Sequence, residues 1–257
     1  LLEGLYLGAR DDQRAREAVV SLEAVAERAS AAAPVRNAVS ALAPRAQVHI
    51  ISEIKRRSPS KGPLADIPEP VVLAGHYERG GASAISVLTE ERQFGGSLGD
   101  LSAVSAAAAV PILRKDFIAS EYQIVEARAH GADWVLLIMA GLTDNEVHTL
   151  LGVARAWGMA ALVETHSREE VQRAIGCGAE IIGVNARDLT TFEVDQNLFG
   201  SLAEMIPEGV IRVAESAVAN SQDVARYREQ GAHAVLVGEA LVRGLDPESR
   251  VREFVNA

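Results

Sequence analysis

The sequence predicts an α/β fold, a (β/α)8 TIM barrel with an N-terminal helical extension. Three observations carry this: eight short apolar or β-branched segments, helical patterns between them, and Gly-Ala pairs that close several of those helices just before the next strand. The chain has 257 residues, near the roughly 250 that such a barrel needs. Strands are expected at 48–54, 84–89, 111–114, 134–139, 160–164, 181–185, 210–216 and 234–238. They recur at roughly the length of one βα unit. "WVLLIM" and "IIGV" are nearly continuous apolar runs, as parallel strands covered on both faces require.

Ser97, Ser120 and Ser167 each precede a helical pattern and suit its N-cap, Ser167 with Glu169 and Glu170 in the first turn. Gly131, Gly178 and Gly231 fit the left-handed position that ends a helix. No glycine-rich dinucleotide fingerprint follows an early strand, which disfavours the open doubly wound sheet. No linker interrupts the pattern. Residues 1–257 are therefore expected to form one domain, with 1–47 as extra helices capping or flanking the barrel.

The net charge of −10 argues against nucleic acid as a partner, though not against a small anion held by a local cluster of cations. No apolar run approaches a membrane span, so no membrane partner is expected. The opening "LLEGLYLGARDD" lacks the pattern of a secretory signal, and a cytoplasmic protein is expected. Cys177 is the single cysteine and reads as structural; the six histidines lack metal-ligand spacing, so neither metal nor cofactor is expected. Of them only His166 falls near the reactive face. Trp157 is expected on the outer layer. Acidity and the lack of an apolar patch favour a monomer.

Lysine and arginine number 25, of which only Lys55, Lys61 and Lys115 are lysines, leaving 25 − 3 = 22 arginines. A lysine kept in so arginine-biased a chain suggests a task that arginine cannot do, such as giving up a proton. In this fold the reactive face lies at the C-terminal strand ends. Glu53 and Lys55 are two apart and point the same way, as a catalytic pair or a structural ion pair. Lys115 follows the apolar "PIL", where desolvation would lower its pKa, unless it is a solvated loop lysine. Glu164 closes "AALVE", where desolvation would raise its pKa, unless it pairs with Lys115. "AESAVANS" and "LVGEALVRG", after strands seven and eight, offer small residues to a phosphate.

In "SEIKRRSPSKG", "LRKDFI", "LVETH", "IGVNARDLTTF", "VAES" and "VLVGEAL" the chain resembles the indole-3-glycerol phosphate synthase family, barrel lyases of tryptophan biosynthesis, from the first helix to the last. The resemblance implies closure of an indole ring on a carboxyphenylamino-deoxyribulose phosphate, with loss of carbon dioxide and water and without cofactor. It implies Lys115 as general acid, Glu164 as acid/base, and Glu53 and Lys55 assisting dehydration. Asn185 and Glu215 would orient the substrate, and Arg187 would serve its carboxylate or brace the site. Ser58, Ser216, Ala217, Gly238 and Glu239 would surround the phosphate. Phe94, Phe117, Leu136, Leu189 and Leu236 would line the aromatic pocket, with "RRSPSKG" a mobile loop above. Ala217 departs from the family's usual glycine. The rivals are another phosphosugar barrel, such as phosphoribosylanthranilate isomerase, whose Cys/Asp pair Cys177 is misplaced to supply, and a non-catalytic binding barrel.

Overall fold

Eight parallel strands close into a barrel in chain order, each paired with the next and the last with the first. The computed structural model describes residues 2–189, 191–244 and 246–257; Thr190, within the "IGVNARDLTTF" segment, lies outside them. The strands are β1 (His49–Ile54), β2 (Ala84–Leu88), β3 (Ile112–Lys115), β4 (Trp134–Ile138), β5 (Ala160–Thr165), β6 (Ile181–Asn185), β7 (Ile211–Glu215) and β8 (Ala234–Val237). All eight coincide with the expected segments to within a residue or two at each end. Residues across β1 and β2 are buried throughout, because one face of each strand meets the barrel interior and the other meets the helices.

The helix starts follow the predicted chemistry. Ser97, Ser120 and Ser167 cap the helices Leu98–Ala107, Glu121–Ala129 and Arg168–Gly176, each hydroxyl accepting a backbone N–H from the first turn. Gly131, Gly178 and Gly231 all have positive φ, the left-handed stop that lets the chain turn straight into the next strand. Cys177 is the buried C-cap of Arg168–Gly176. Trp157 caps Asp144–Ala156 and packs between the barrel core and the N-terminal helices.

The extension forms α1 (Leu2–Val19), α2 (Leu22–Ala31) and α3 (Ala38–Ala41). Val25 and Ala29 of α2 pack on Tyr122 and Val125. α1 buries Tyr6, Ala9 and Gln13, spaced along one helix face, against the upper barrel. The Tyr6 ring lies where a side chain at 141 would stand: a Cβ on Gly141 would come within 1.9 Å of Tyr6 Cε2. Between β1 and the next helix, Arg57–Ser58 and Gly62–Pro63 form a short antiparallel hairpin over the barrel mouth.

Candidate active site

The register brings the ionisable residues of four strands, and Asn185 of a fifth, to one level. Glu53 pairs with Ser86 across β1 and β2, Leu88 with Lys115, Ile138 with Glu164, and Asn185 with Glu215. Lys55 Nζ lies 2.7 Å from Glu53 Oε1, and Lys115 Nζ lies 3.5 Å from Glu53 Oε2. Glu53 thus bridges the two lysines, so the same-side expectation for Glu53 and Lys55 holds and the pair faces inward. Two interior glycines make room for these head groups. A Cβ at Gly183 would stand 2.1 Å from Glu215 Oε1, and one at Gly238 would stand 2.6 Å from Glu53 Oε1.

The mouth opens into two connected chambers. The larger, about 810 Å³, is the more polar of the two and is lined by Lys61, Ser216, Ala217, Leu236, Gly238 and Glu239 among others. The smaller, about 130 Å³, is lined by Phe94, Phe117, Leu136 and Leu189, with Leu2 and Leu5 of α1 and Ser58 of the hairpin. Of the expected aromatic-pocket residues, Leu236 falls in the polar chamber; of the expected phosphate residues, Ser58 falls in the apolar one. Lys55, Lys115, Arg187 and Ser216 line both, so three cations stand at the waist between them.

Local hydrogen bonds fix the apolar walls. The Glu90 carboxylate accepts the backbone N–H groups of Arg92, Gln93 and Phe94, which folds the turn that presents Phe94. Gln123 donates to the Phe117 carbonyl at 3.0 Å while accepting from Ala119 N–H, and so pins the loop bearing Phe117. Tyr6 meets Phe117 edge-on at 5.7 Å. At the waist between the chambers Asn185 Oδ1 accepts from Ser216 Oγ at 2.8 Å and from Arg187 N–H at 3.1 Å. Ser216 and Ala217 both adopt positive φ, at 68° and 58°. The alanine therefore occupies a conformation that glycine adopts at no steric cost.

Electrostatics correct two expectations. Burial pushes the Lys115 ammonium toward losing its proton, but the charges of Glu53 and Glu164, joined by Glu215 once it ionises, outweigh it and raise its pKa above the ordinary lysine range. Desolvation alone does not decide its state, because carboxyl groups from three other strands converge on this amine, a proximity the sequence does not show. Glu164 is likewise pushed up by burial, yet the His166 side chain and the Lys115 charge hold it down at about 2. The carboxyl with a pKa well above the usual range is Glu215, raised by burial and by the negative charge of Glu164. Neither Glu215 oxygen has a hydrogen-bond donor among the described residues. Glu53 stays below the usual range: burial raises it, and Lys55 and Lys115 more than compensate.

The mouth therefore holds a charged lysine, two carboxylates and one neutral carboxylic acid side by side. Such a set can both donate and accept protons in a partly desolvated space. Sequence reasoning missed the contribution of α1. Leu2, Tyr6, Ala9 and Gln13 carry helical spacing that signals a docked helix, but spacing cannot say onto which end of the barrel. It also missed Gly183, whose role exists only once Glu215 stands beside it.

The sequence pattern of indole-3-glycerol phosphate synthase matches residues 2–254. The chain is 56% identical over 254 residues to the indole-3-glycerol phosphate synthase of Leifsonia xyli subsp. xyli, covering 99% of this chain and 97% of that one. It is 53% identical to the Arthrobacter sp. enzyme of that name, covering 100% and 96%. Among solved structures, a 3-hexulose-6-phosphate synthase superposes with a TM-score of 0.66 at 18% identity, covering 81% of this chain and 99% of that one, a likeness of fold alone. The chain belongs to the indole-3-glycerol phosphate synthase family.

Proposed function

We propose that this chain closes the indole ring of 1-(2-carboxyphenylamino)-1-deoxyribulose 5-phosphate, releasing carbon dioxide and water to give indole-3-glycerol phosphate. The observation that carries the reading is the two-chamber cleft with Lys115 at its waist. An apolar chamber suits the anilino ring, a polar chamber suits the phosphate, and the bond-forming carbons then lie beside the ammonium. The hairpin that carries Ser58 and Lys61 covers both.

Lys115 acts as the general acid on the substrate carbonyl. Its raised pKa does not forbid this, because the oxygen becomes an alkoxide-like centre during ring closure and is then more basic than the amine. Before transfer the ammonium stabilises the developing negative charge in a site with little water. Loss of carbon dioxide restores the electron pair to the ring, and dehydration follows. In that step Lys55 protonates the departing hydroxyl, and Glu53 or Glu164 takes the ring proton. Asn185 and Glu215 orient the substrate's hydroxyls and nitrogen, with Glu215 donating a proton it still holds. Arg187, anchored by its Nη1 to the Phe192 carbonyl at 3.2 Å, attracts the substrate carboxylate. Ser216, Ala217, Gly238 and Glu239 receive the phosphate, the last two mainly by backbone N–H groups. Residues 1–257 work as one domain, as a cytoplasmic monomer that takes a small phosphorylated substrate and no nucleic acid.

Incubation of the protein with the carboxyphenylamino substrate, followed by indole fluorescence, tests the reading. Multiple turnovers are expected; no fluorescence at high enzyme concentration rejects it.

A further inference from the structure

His166 follows the last residue of β5 and stands two positions beyond Glu164. Its imidazole is clasped between two carboxylates: Nε2 lies 3.2 Å from Glu164 Oε1, and Nδ1 lies 3.3 Å from Glu170 Oε2. The side chain is only 12% exposed. Glu170 is held in turn: its Oε2 accepts the His166 backbone N–H at 2.7 Å, and its own N–H is capped by Ser167 Oγ at 3.2 Å. A neutral imidazole offers one N–H and one lone pair, so it would face one of the two carboxylates with a lone pair. Only the imidazolium is attracted to both: Nδ1 hydrogen-bonds Glu170, while Nε2, which is not aligned for a hydrogen bond, meets Glu164 as an ion pair.

We propose that His166, braced by Glu170, is a positioning residue that remains an imidazolium and keeps Glu164 as the ionised carboxylate of the site. The proposal rests on the functional reading above and adds a division of labour to it. Glu164 and Glu215 share one desolvated space, and like charges there do not both persist. With a fixed cation on the far side of Glu164, the negative charge settles on Glu164 and the proton on Glu215. Glu164 begins the cycle as a base, and Glu215 begins it as a donor.

The charged and titratable groups facing this unit come from several elements. Glu164 and His166 itself belong to β5 and its end, Glu170 to the following helix, Lys115 to β3, Glu215 to β7, and Tyr6, whose phenol stays protonated, to α1. Burial alone would strip the His166 proton, but the two glutamates override it and raise its pKa to about 10. Its partner Glu164 sits at about 2, so over the range between them both remain charged.

Two measurements test the proposal separately from the assigned reaction. In protein labelled with 15N-histidine, one imidazole is expected to show both nitrogens protonated at pH 8, and that signal is expected to vanish in His166→Gln. Six neutral imidazoles at pH 8 would overturn the proposal whatever the enzyme's substrate. The second measurement is the pH profile of kcat/KM for ring closure in wild type, His166→Gln and Glu170→Gln. His166→Gln should move the acid limb upward by at least one pH unit, because Glu164 then protonates more readily. Glu170→Gln should move it less, in the same direction, with folding undisturbed. Profiles that overlay the wild type's, even with lower rates, would reduce His166 to a packing role and reject the proposal. A wild type inactive on this substrate would reject the assigned reaction while leaving the imidazolium result standing.

Discussion

Arg114 and Lys115 are consecutive residues of β3, yet they sit in two opposite kinds of charged environment. Arg114 points outward into the helix layer and is fully buried. Its Nε donates to Thr89 Oγ1, its Nη1 to the Gln123 carbonyl and Glu126 Oε2, and its Nη2 to Asp116 Oδ2. Arg16 of α1 adds a second cation to Glu126, at 2.6 and 3.0 Å, so this cluster also fastens the N-terminal helix to the barrel. Lys115 points inward and, among the described residues, has one contact within ion-pair range, Glu53 at 3.5 Å, with open cavity beyond. The planar five-donor fork suits the first place and a compact ammonium suits the second. A charged cluster whose donors are filled holds structure; one that leaves capacity unfilled is available to a substrate.

Reciprocal exchanges break this contrast most sharply. Lys115→Arg should lower kcat for ring closure by about 10³-fold, since arginine keeps the charge but does not release its proton near neutral pH. Thermal denaturation should show the fold intact. Arg114→Lys should do the reverse. It leaves buried carboxylates under-paired at a cost of about 3 kcal/mol in urea unfolding, while each folded molecule retains most of its turnover.

Glu215 sharpens the comparison from the acidic side. Its pKa in the folded protein lies above that of the unfolded chain. Unfolding therefore releases a proton, and the group subtracts stability as pH rises above the unfolded value of about 4.3. Glu215→Gln should raise stability at pH 7.5 by about 1–2 kcal/mol and lower kcat, with the stability gain shrinking as the pH approaches about 4.5. The smallest effect is expected at Ala217→Gly. Relief of the left-handed alanine should add about 0.5–1 kcal/mol and change KM for the phosphorylated substrate, with kcat unchanged.

Much of this is legible in the sequence. Strand order, helix caps and the level of the polar residues follow from local patterns, because periodicity and capping chemistry act over a few residues. Family motifs gathered Glu53, Lys55, Lys115, Glu164, Asn185 and Glu215, and the fold brings them to one rim. Their protonation was not legible. It depends on distances between strands far apart in sequence, and so Lys115 and Glu164 shift in the directions opposite to those that burial alone suggests. The role of α1, which supplies Leu2 and Leu5 to the apolar chamber, was hidden for the same reason. Lys61, the least explained lysine in the sequence, holds Glu239 at 2.8 Å and so ties the hairpin to the edge of the polar chamber.

The central claim is that Lys115 works as an ammonium secured by surrounding carboxylates, and not as an amine made acidic by burial. The chain contains only three lysines, so protein labelled with 15Nζ-lysine gives three side-chain signals, and Lys115→Arg identifies the one that matters. The account predicts that the Lys115 signal remains that of an ammonium as the pH is raised past the ordinary lysine value of about 10.4. A Lys115 signal that titrates below that value would contradict it.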